Sequence, residues 1–286
     1  MRPANIITSV SDVLAGIAIS GFLVSSNFAQ INFFPIILLC ISTIGLYGGG
    51  VVFNDVFDAA LDKVERPERP IPKGVVTIRE AGTLGTVLLL IGIIAALMVN
   101  TISGLLALLI AVAALIYNKW SKHHILAGPL NMGLCRGLNL LLGISIVTAA
   151  LGQWWFVPFV PIIYIAAITM ISRGEVHGGN KSALYFSVIL YGIVIIAILL
   201  LSYAKGMFWW TILFLLPFAW MIFSALLKAI RLPLPQNIGK AVKAGVIALI
   251  LMNAAWAAAF GVIVLAFLIV LLLPLSLWMA KLFAVT

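Results

Sequence analysis

A short acidic stretch holds the residue types in this sequence that are best suited to chemistry. Asp55, Asp58 and Asp62 are three of the chain's eight acidic residues. Offsets of three and seven residues place their carboxylates on one face of a helix. Crowded carboxylates repel one another unless a cation neutralises them, and Mg²⁺ binds carboxylate oxygens together with a substrate phosphate. With arginines directly behind the acids, the pattern predicts a metal–phosphate site, against the alternative that these acids are simply solvated at a helix end.

The composition defines the scaffold that must position these acids. The chain is 64% hydrophobic and only 9% charged, which excludes an ordinary soluble domain. Its 286 residues can supply nine or ten spans of about 20 residues each. We therefore predict an all-α, polytopic membrane helical bundle of nine or ten transmembrane helices, with residues 1–286 forming a single membrane domain. The apolar runs lie at about 13–25, 33–53, 80–98, 102–118, 129–150, 155–171, 183–204, 207–230, 241–258 and 261–282.

The basic residues indicate how the bundle is oriented. The net charge of +9 comes from Lys and Arg gathered in the loops after the even-numbered runs, whereas the opposite connections carry only Lys205. This asymmetry predicts that the even-numbered loops face the cytoplasm. All acidic residues except Asp12 lie in the same loops, so the active face is expected to be cytoplasmic. The charge thus reflects topology and predicts no nucleic-acid partner. We expect a multi-pass protein of a bacterial plasma membrane or of a plastid or thylakoid-type membrane.

Several residues inside the spans also stand out from their apolar surroundings. Arg136 and Asn139 lie one turn apart in the fifth run, and a membrane-embedded arginine is costly unless it faces a polar cavity. They are interpreted as substrate-binding cavity residues. Asp12 is interpreted as an interfacial cap, with an acceptor-site carboxylate as the alternative. Gly45 and Gly48–Gly50 are expected to allow close helix packing.

At these motifs the chain resembles the UbiA superfamily of intramembrane prenyltransferases. The family's N-D-x-x-D-x-x-x-D motif is matched in full from Asn54 to Asp62. Its R-P-x-R-P-x-x-x-G pattern is matched by Arg66-Pro67, Arg69-Pro70 and Gly74. The resemblance implies a UbiA-like bundle around a central cavity. It also implies an enzyme that transfers a prenyl group from a prenyl diphosphate to a lipophilic or aromatic acceptor in the membrane lipid.

The resemblance further implies roles for the matched residues. The three aspartates would bind Mg²⁺ and be catalytic, with Asn54 contacting the metal or the diphosphate. Arg69 and Arg66 would bind the diphosphate by forked hydrogen bonds. Metal and cations would stabilise the leaving diphosphate, and an apolar cavity would limit quenching of the allylic cation by water.

The family's second aspartate motif is degenerate in this chain. Its ending is matched by Gly179-Asn180-Lys181-Ser182, and Glu175 stands where the last aspartate is expected. Ile171 occupies the position of the first aspartate, so that acid is missing. Glu175 would be the fourth metal ligand. Lys181 would neutralise a phosphate, or it would serve only as a positive-inside anchor.

A third family motif, Tyr-x-x-x-Lys, is altered as well. Ser121 stands at the lysine position, although Lys119 and Lys122 are close and are expected to bind substrate. These departures resemble the divergent EboC-like branch of the superfamily. They leave open an alternative function, that of a non-catalytic or repurposed UbiA-like protein which binds or transports an isoprenoid-linked precursor.

Overall fold

The computed structural model describes residues 3–24, 31–124, 126–172 and 181–282, and these segments are helical with short connections. The predicted all-α membrane fold is therefore confirmed. Glu175 lies outside the described residues. A 3₁₀ turn at Ser121–His123 precedes α6. The helices are α1 (Pro3–Ile19), α2 (Phe34–Phe57), α3 (Ala59–Glu65), α4 (Ile78–Leu97), α5 (Thr101–Lys119), α6 (Ala127–Ile144), α7 (Thr148–Trp154), α8 (Phe159–Ser172), α9 (Lys181–Ala204), α10 (Phe208–Arg231), α11 (Pro235–Ala259), α12 (Ile263–Val270) and α13 (Leu272–Leu282).

Seven helical segments of the described chain are long and apolar enough to cross a membrane, with α12 and α13 counted together. An eighth span results if α7 and α8 are counted as one span that bends by 66°. The chain is thus a multi-pass integral membrane protein, but the predicted count of nine or ten spans is not confirmed. Two of the predicted spans fall short for physical reasons. The apolar part of α1 is limited to Asn5–Ile19, and α6 carries the polar residues Asn131, Arg136 and Asn139.

Helix α1 joins the two halves of the bundle. On one side it packs against α2 and α6, and on the other against α11 and α13. Its Val13 and Ile17 belong to a core formed with the helices of the first half, whereas Ala15 and Ile19 belong to the larger core of the second half. Helix α11 is buried along almost all of its length between α1, α8, α10 and α12. Polar residues on α1 are therefore close to both halves of the bundle.

Glycines bring α1 and α6 into backbone contact. A Cβ on Gly16 would lie 2.3 Å from the carbonyl oxygen of Leu140, and one on Gly143 would lie 2.2 Å from that of Val13. No side chain fits at either position, so the two helices approach as closely as their backbones allow. This contact sets the spacing between the polar residues of α1 and those of α6.

A second glycine contact joins α2 to α4. A Cβ on Gly45 would lie 2.6 Å from the carbonyl oxygen of Leu88, and one on Gly49 would lie 2.9 Å from that of Gly85. The close packing predicted for these two glycines is confirmed. Gly48 and Gly50 differ, because a Cβ there would meet only ordinary van der Waals neighbours.

Candidate active site

The three predicted acids sit at the junction of α2 and α3. Asp55 lies in the last turn of α2, Asp58 is the single residue between the two helices, and Asp62 lies in α3. The backbone keeps a helical hydrogen-bond pattern through the junction: the Asp58 N–H donates to the Asn54 carbonyl at 3.0 Å, and the Asp62 N–H donates to the Asp58 carbonyl at 2.8 Å. Because the helix is nearly continuous, residues spaced by three and four positions stay on one side of it, and the three acids lie in one region.

The loop after α3 folds an arginine back onto two of these acids. The Arg69 Nη1 donates to Asp62 Oδ2 at 2.7 Å and to Asp55 Oδ1 at 3.2 Å. The turn behind it is closed by the Lys73 N–H on the Arg69 carbonyl at 2.9 Å, and it ends at Gly74, whose φ is +77°. That left-handed conformation favours glycine. The glycine of the arginine–proline pattern is thus explained by the turn that returns Arg69 to the acids.

The third acid is paired with a lysine from another part of the chain. Lys122, in the 3₁₀ turn, forms an ion pair with Asp58. Nearby, the Asn54 Nδ2 donates to Asn118 Oδ1 at 3.2 Å, and the Asn118 Nδ2 donates to the Gly50 carbonyl at 2.8 Å. These bonds fix the end of α5 beside the end of α2. We call Asp55, Asp58, Asp62, Arg69 and Lys122 the outer cluster.

The other predicted cations lie at the edge of this cluster or away from it. Arg66 is exposed and lines the main cavity. Lys119 is exposed, and its Nζ lies 4.6 Å from the centre of the Trp120 ring. Lys181 is exposed at the beginning of α9 and does not line the cavity. Of the five predicted cations apart from Arg69, only Lys122 contacts an acid of the cluster among the described residues.

The chemistry of the donors fits a hard divalent cation, but the described side chains are paired with cations of the protein. Arg69 pairs with both Asp55 and Asp62, and Lys122 pairs with Asp58, so the three carboxylates share two positive charges. Within the described part of the chain, no group of three acids, histidines or cysteines is arranged as a metal cage. The arrangement suits a site in which a metal and a diphosphate bind together, since Mg²⁺ takes few protein ligands when it also binds phosphate.

A cavity of about 470 Å³ extends from the outer cluster into the bundle. Asp58 and Asp62 line one end, and Arg136 and Asn139 of α6 line the other. Asp55 instead faces a smaller cavity of about 150 Å³ beside the Arg69 loop. The walls between the two ends are largely apolar, and they include Leu46, Ile110, Ile165, Ile168, Val246 and Leu249.

The far end of the cavity is bounded by a buried polar network centred on Asp12. The Arg136 Nη1 donates to Asp12 Oδ2 at 2.7 Å, and its Nη2 donates to the Thr8 hydroxyl at 2.8 Å. The Asn139 Nδ2 donates to the same Asp12 oxygen at 3.2 Å, and the Asn253 Nδ2 donates to Asp12 Oδ1 at 2.8 Å. One carboxylate thus receives three side-chain donors from two other helices.

A hydroxyl on α2 completes this network. The Thr43 Oγ1 donates to Asn139 Oδ1 at 2.8 Å, so the Asn139 amide bonds through both of its polar atoms. We call Asp12, Thr43, Arg136, Asn139 and Asn253 the inner network. Its members come from α1, α2, α6 and α11.

Sequence and structure comparisons identify the family of this fold. The model of the UbiA prenyltransferase family matches residues 13–236. The chain belongs to the UbiA prenyltransferase family. The resemblance seen in the aspartate and arginine–proline motifs is therefore confirmed.

Relatives of this UbiA-family protein include several named digeranylgeranylglyceryl phosphate synthase. One from Methanothrix thermoacetophila is 30% identical over 218 residues, covering 71% of this chain and 77% of the relative. One from Sulfurisphaera tokodaii is 30% identical over 170 residues, covering 59% of this chain and 58% of the relative. One from Ignicoccus hospitalis is 33% identical over 183 residues, covering 62% of this chain and 56% of the relative. The chain thus spans little more than half the length of two of these relatives.

Two solved structures share the fold. A UbiA homolog from Aeropyrum pernix K1 superposes with a TM-score of 0.73 at 19% identity, covering 89% of this chain and 98% of the homolog. A structure described as giving insights into digeranylgeranylglyceryl phosphate synthase in membranes gives a TM-score of 0.64 at 21% identity, covering 90% and 98% of the two chains. At these identities the likeness establishes the fold alone.

The inner network of this UbiA-family protein corrects one interpretation of the sequence. Asp12 does not cap a helix at the membrane interface: it is 1% exposed within α1 and is paired with Arg136. Asn253 and Thr43 were not predicted to take part in a site. Asn253 is the only side chain with hydrogen-bonding groups between Ile247 and Ala255. A single polar residue in such an apolar run needs a polar partner, and this feature of the sequence could have indicated its role.

Proposed function

We propose that this protein transfers a prenyl group from a prenyl diphosphate to a lipophilic acceptor inside the membrane. The supporting observation is the shape of the cavity: it carries acids and cations at one end, has apolar walls, and reaches a polar inner end. A diphosphate fits the outer cluster by charge, and an isoprenoid chain fits the apolar walls. Family membership supports the same reaction class.

The residues of the outer cluster take the following roles in this proposal. Asp55, Asp58 and Asp62, together with Glu175, would hold Mg²⁺, which would supply stabilisation of negative charge on the diphosphate. Arg69 moves from the acids to the diphosphate oxygens, for which its fork of N–H donors is suited. The arginine that pairs with two of the acids in the described structure thus becomes a ligand of the substrate.

Further polar residues at the same end complete the binding site. Lys122 takes a phosphate oxygen in the same way as Arg69, and Arg66 at the cavity edge screens the leaving group. Asn54, held by Asn118, contacts the metal or the diphosphate. Lys119 and Lys181 contribute positive charge at the entrance.

The chemical step follows from this placement. The allylic C–O bond breaks, and the diphosphate leaves with the electron pair where the cations stabilise it. The acceptor attacks the allylic carbon along the apolar part of the cavity and then loses its proton. Apolar side chains there, such as Ile165, Ile168 and Leu249, keep water from the cation.

The comparisons bear on the acceptor and on the location. The relatives are named as synthases of a glyceryl phosphate lipid, which does not support the aromatic option of the sequence prediction. They are archaeal, which does not support a bacterial or plastid membrane in particular. The cytoplasmic orientation of the outer cluster stays a prediction from the distribution of Lys and Arg.

The test is prenyl transfer by the full chain in lipid nanodiscs. The protein is supplied with Mg²⁺, prenyl diphosphates of several chain lengths and lipid extracts, and products are identified by mass spectrometry. We expect product from the wild type and from Glu68→Gln, a control acid outside the outer cluster, but not from Asp58→Asn. If no prenyl diphosphate is bound or consumed under any condition, the proposal is wrong.

A second function has one observation in its favour. Ile171, at the position of the missing acid, is 1% exposed and belongs to the apolar core, so no acid can be provided from that position. A non-catalytic protein that binds or transports an isoprenoid-linked precursor would bind the diphosphate without turnover. In that case Asp58→Ala would leave the cellular function largely intact.

A further inference from the structure

The connection between α5 and α6 carries one residue of the outer cluster, Lys122. We infer that two residues of α6, Asn131 and Gly128, are positioning residues for this lysine. They hold the 3₁₀ turn so that Lys122, rather than Ser121 before it, reaches Asp58. The role of the lysine toward a substrate rests on the proposed function, but its position can be measured without any substrate.

The sequence shows why this lysine needs to be positioned. The Tyr-x-x-x-Lys pattern of the family has its lysine where this chain has Ser121. Lys122 supplies a positive charge from the next position, and among the described residues it is the one cation paired with Asp58. Arg69 pairs with the other two acids. Consecutive residues of a helix point about 100–120° apart, so a shift by one residue succeeds only if the backbone turns with it.

The backbone changes its course at this point. Helix α5 ends at Lys119, and after one further residue the chain enters the 3₁₀ turn of residues 121–123. The His124 N–H closes the turn on the Ser121 carbonyl at 2.9 Å. Lys119 is exposed, whereas the side chain of Lys122 is only 12% exposed. The turn therefore directs Lys122, but not Lys119, into the outer cluster.

Gly128 makes room for this turn against α6. A Cβ on Gly128 would lie 3.1 Å from the carbonyl oxygen of Ser121 and 3.4 Å from that of Lys122. The backbone of the turn thus packs where the helix has no side chain. The Gly128 N–H also donates to the His124 carbonyl at 3.1 Å. A side chain at this position would push the turn, and Lys122 with it, away from α6.

Asn131, three residues further along α6, anchors the turn through its side chain. Its Nδ2 donates to the Ser121 Oγ at 3.1 Å. Its Oδ1 is buried and has no hydrogen-bond partner within the described segments, which lowers stability, and a leucine of similar size would avoid this loss. The bond to the turn therefore explains an amide here better than the stability of α6 does. Neither Asn131 nor Gly128 lines the cavity, so each acts on the site through the turn.

The first experiment measures the position of the lysine without substrate. The full chain in lipid nanodiscs is treated with an acetylating succinimidyl ester, and the labelling rates of Lys122 and Lys119 are followed by mass spectrometry. Exposed Lys119 is the internal reference. In Asn131→Leu we expect Lys122 to be labelled about 5-fold faster relative to Lys119, because one hydrogen bond no longer holds the turn. An unchanged ratio would overturn the inference.

Two further substitutions test whether the effect passes through the turn. Ser121→Ala removes the acceptor of the same hydrogen bond, so it should give the ratio of Asn131→Leu, both alone and combined with it. Ser121→Thr keeps the hydroxyl and should resemble the wild type. Gly128→Ala should also raise the ratio, and an unchanged ratio in that variant would remove Gly128 from the inference.

The matched control is an asparagine that anchors another connection. The Asn237 Nδ2 donates to the Leu232 carbonyl at 2.9 Å and so joins the beginning of α11 to the end of α10. Asn237→Leu should leave the labelling ratio of Lys122 to Lys119 unchanged. If it raises the ratio as much as Asn131→Leu does, the effect is a general loosening of the bundle and the inference is wrong.

The second experiment tests what the position of the lysine does for a substrate. Binding of a non-cleavable prenyl thiodiphosphate with Mg²⁺ is compared in the wild type, in Lys122→Ser and in the exchange variant Ser121→Lys, Lys122→Ser. Lys122→Ser should weaken binding about 10-fold, because a charge-assisted hydrogen bond is lost. The exchange variant has its lysine where the family pattern has it, but we expect a recovery of less than about 3-fold. Wild-type affinity in the exchange variant would mean that the turn does not select the position, and would overturn the inference.

The two experiments separate this inference from the proposed function. If the wild type binds no prenyl thiodiphosphate, the proposed function is contradicted, and the labelling ratios still decide whether Asn131 positions Lys122. If the thiodiphosphate is bound but Asn131→Leu labels like the wild type, the proposed function stands and the inference is wrong.

Discussion

The outer cluster and the inner network are both built around ion pairs, but their partners come from different distances along the chain. Arg69 pairs with acids 7 and 14 residues away. Arg136 pairs with an acid 124 residues away, and Asn253 reaches the same acid across 241 residues. Local sequence therefore assembles most of the outer cluster, whereas only the packing of the bundle assembles the inner network.

The two regions also differ in exposure. The side chains of Asp55 and Arg69 are 36% and 19% exposed, although Asp62, the second partner of Arg69, is only 6% exposed. Those of Asp12 and Arg136 are 2% and 9% exposed. Exposed ion pairs contribute about 0–1 kcal/mol, and breaking a buried pair costs about 3–5 kcal/mol. The cations of the outer pairs can therefore leave their acids and bind a substrate, whereas the inner pair is part of the fold.

The largest expected effect comes from breaking the inner pair. Arg136→Ala leaves the Asp12 carboxylate buried without its cation, and we expect the free energy of unfolding to fall by about 3–5 kcal/mol. The measurement is reversible unfolding in mixed micelles. The control is the double variant Asp12→Ala, Arg136→Met, which removes both charges and should recover much of the loss. A loss below about 1 kcal/mol for Arg136→Ala would mean that this pair is no more structural than a surface pair.

The outer cluster should show the opposite separation between activity and stability. Arg69→Gln removes a charge that we place on the leaving diphosphate, and we expect prenyl transfer to fall by about 10²–10³-fold. The free energy of unfolding should fall by less than in Arg136→Ala, because Arg69 and Asp55 are partly exposed, although Asp62 loses its cation at a buried position. Rates and unfolding are measured on the same preparation. Arg79→Gln, at an exposed cation outside the cavity, is the matched control and should alter neither quantity.

The glycine contact between α1 and α6 offers a way to disturb the inner network without touching it. Gly143→Ala places a methyl group 2.2 Å from the Val13 carbonyl, so the helices must separate. We expect unfolding to become easier by about 1–3 kcal/mol. Gly192→Ala in α9, where a Cβ meets nothing within 4 Å, should be neutral or slightly stabilising. Equal effects of the two substitutions would show that α1 and α6 have room to adjust.

The same contrast explains what could be predicted from sequence. Hydrophobic runs were enough for the all-α membrane fold, because apolar segments of this length have few other stable states in a membrane. The acids and Arg69 could be predicted because a near-continuous helix and one short turn connect them. Their spacing along the sequence is therefore enough to place them close together. The predicted count of nine or ten spans was not confirmed, because the apolar part of α1 is short and α6 carries polar residues that bond inside the bundle.

The inner network could be predicted only in part. Arg136 and Asn139 were recognised because a charged group within an apolar run needs a polar partner. The identity of that partner was not accessible, because Asp12 lies near the beginning of its run and could equally have faced the membrane surface. In the structure, Asp12 lies one turn before Gly16, on the face of α1 that meets α6 at Gly143, and there it pairs with Arg136.

The smallest expected effect tests whether the inner network acts as one unit. Thr43→Val removes the hydroxyl that donates to Asn139 Oδ1 but keeps the volume, and one buried hydrogen bond contributes about 1 kcal/mol to stability. Thr86→Val on α4, whose hydroxyl bonds only its own helix at an exposed position, is the control and should have less effect. A loss in Thr43→Val that disappears in the charge-free Asp12→Ala, Arg136→Met background would mean that Thr43 acts by holding Asn139 against Asp12. A loss that persists unchanged there would mean that the Thr43–Asn139 bond stabilises the α2–α6 contact independently, and the inner network would then be two separate interactions rather than one.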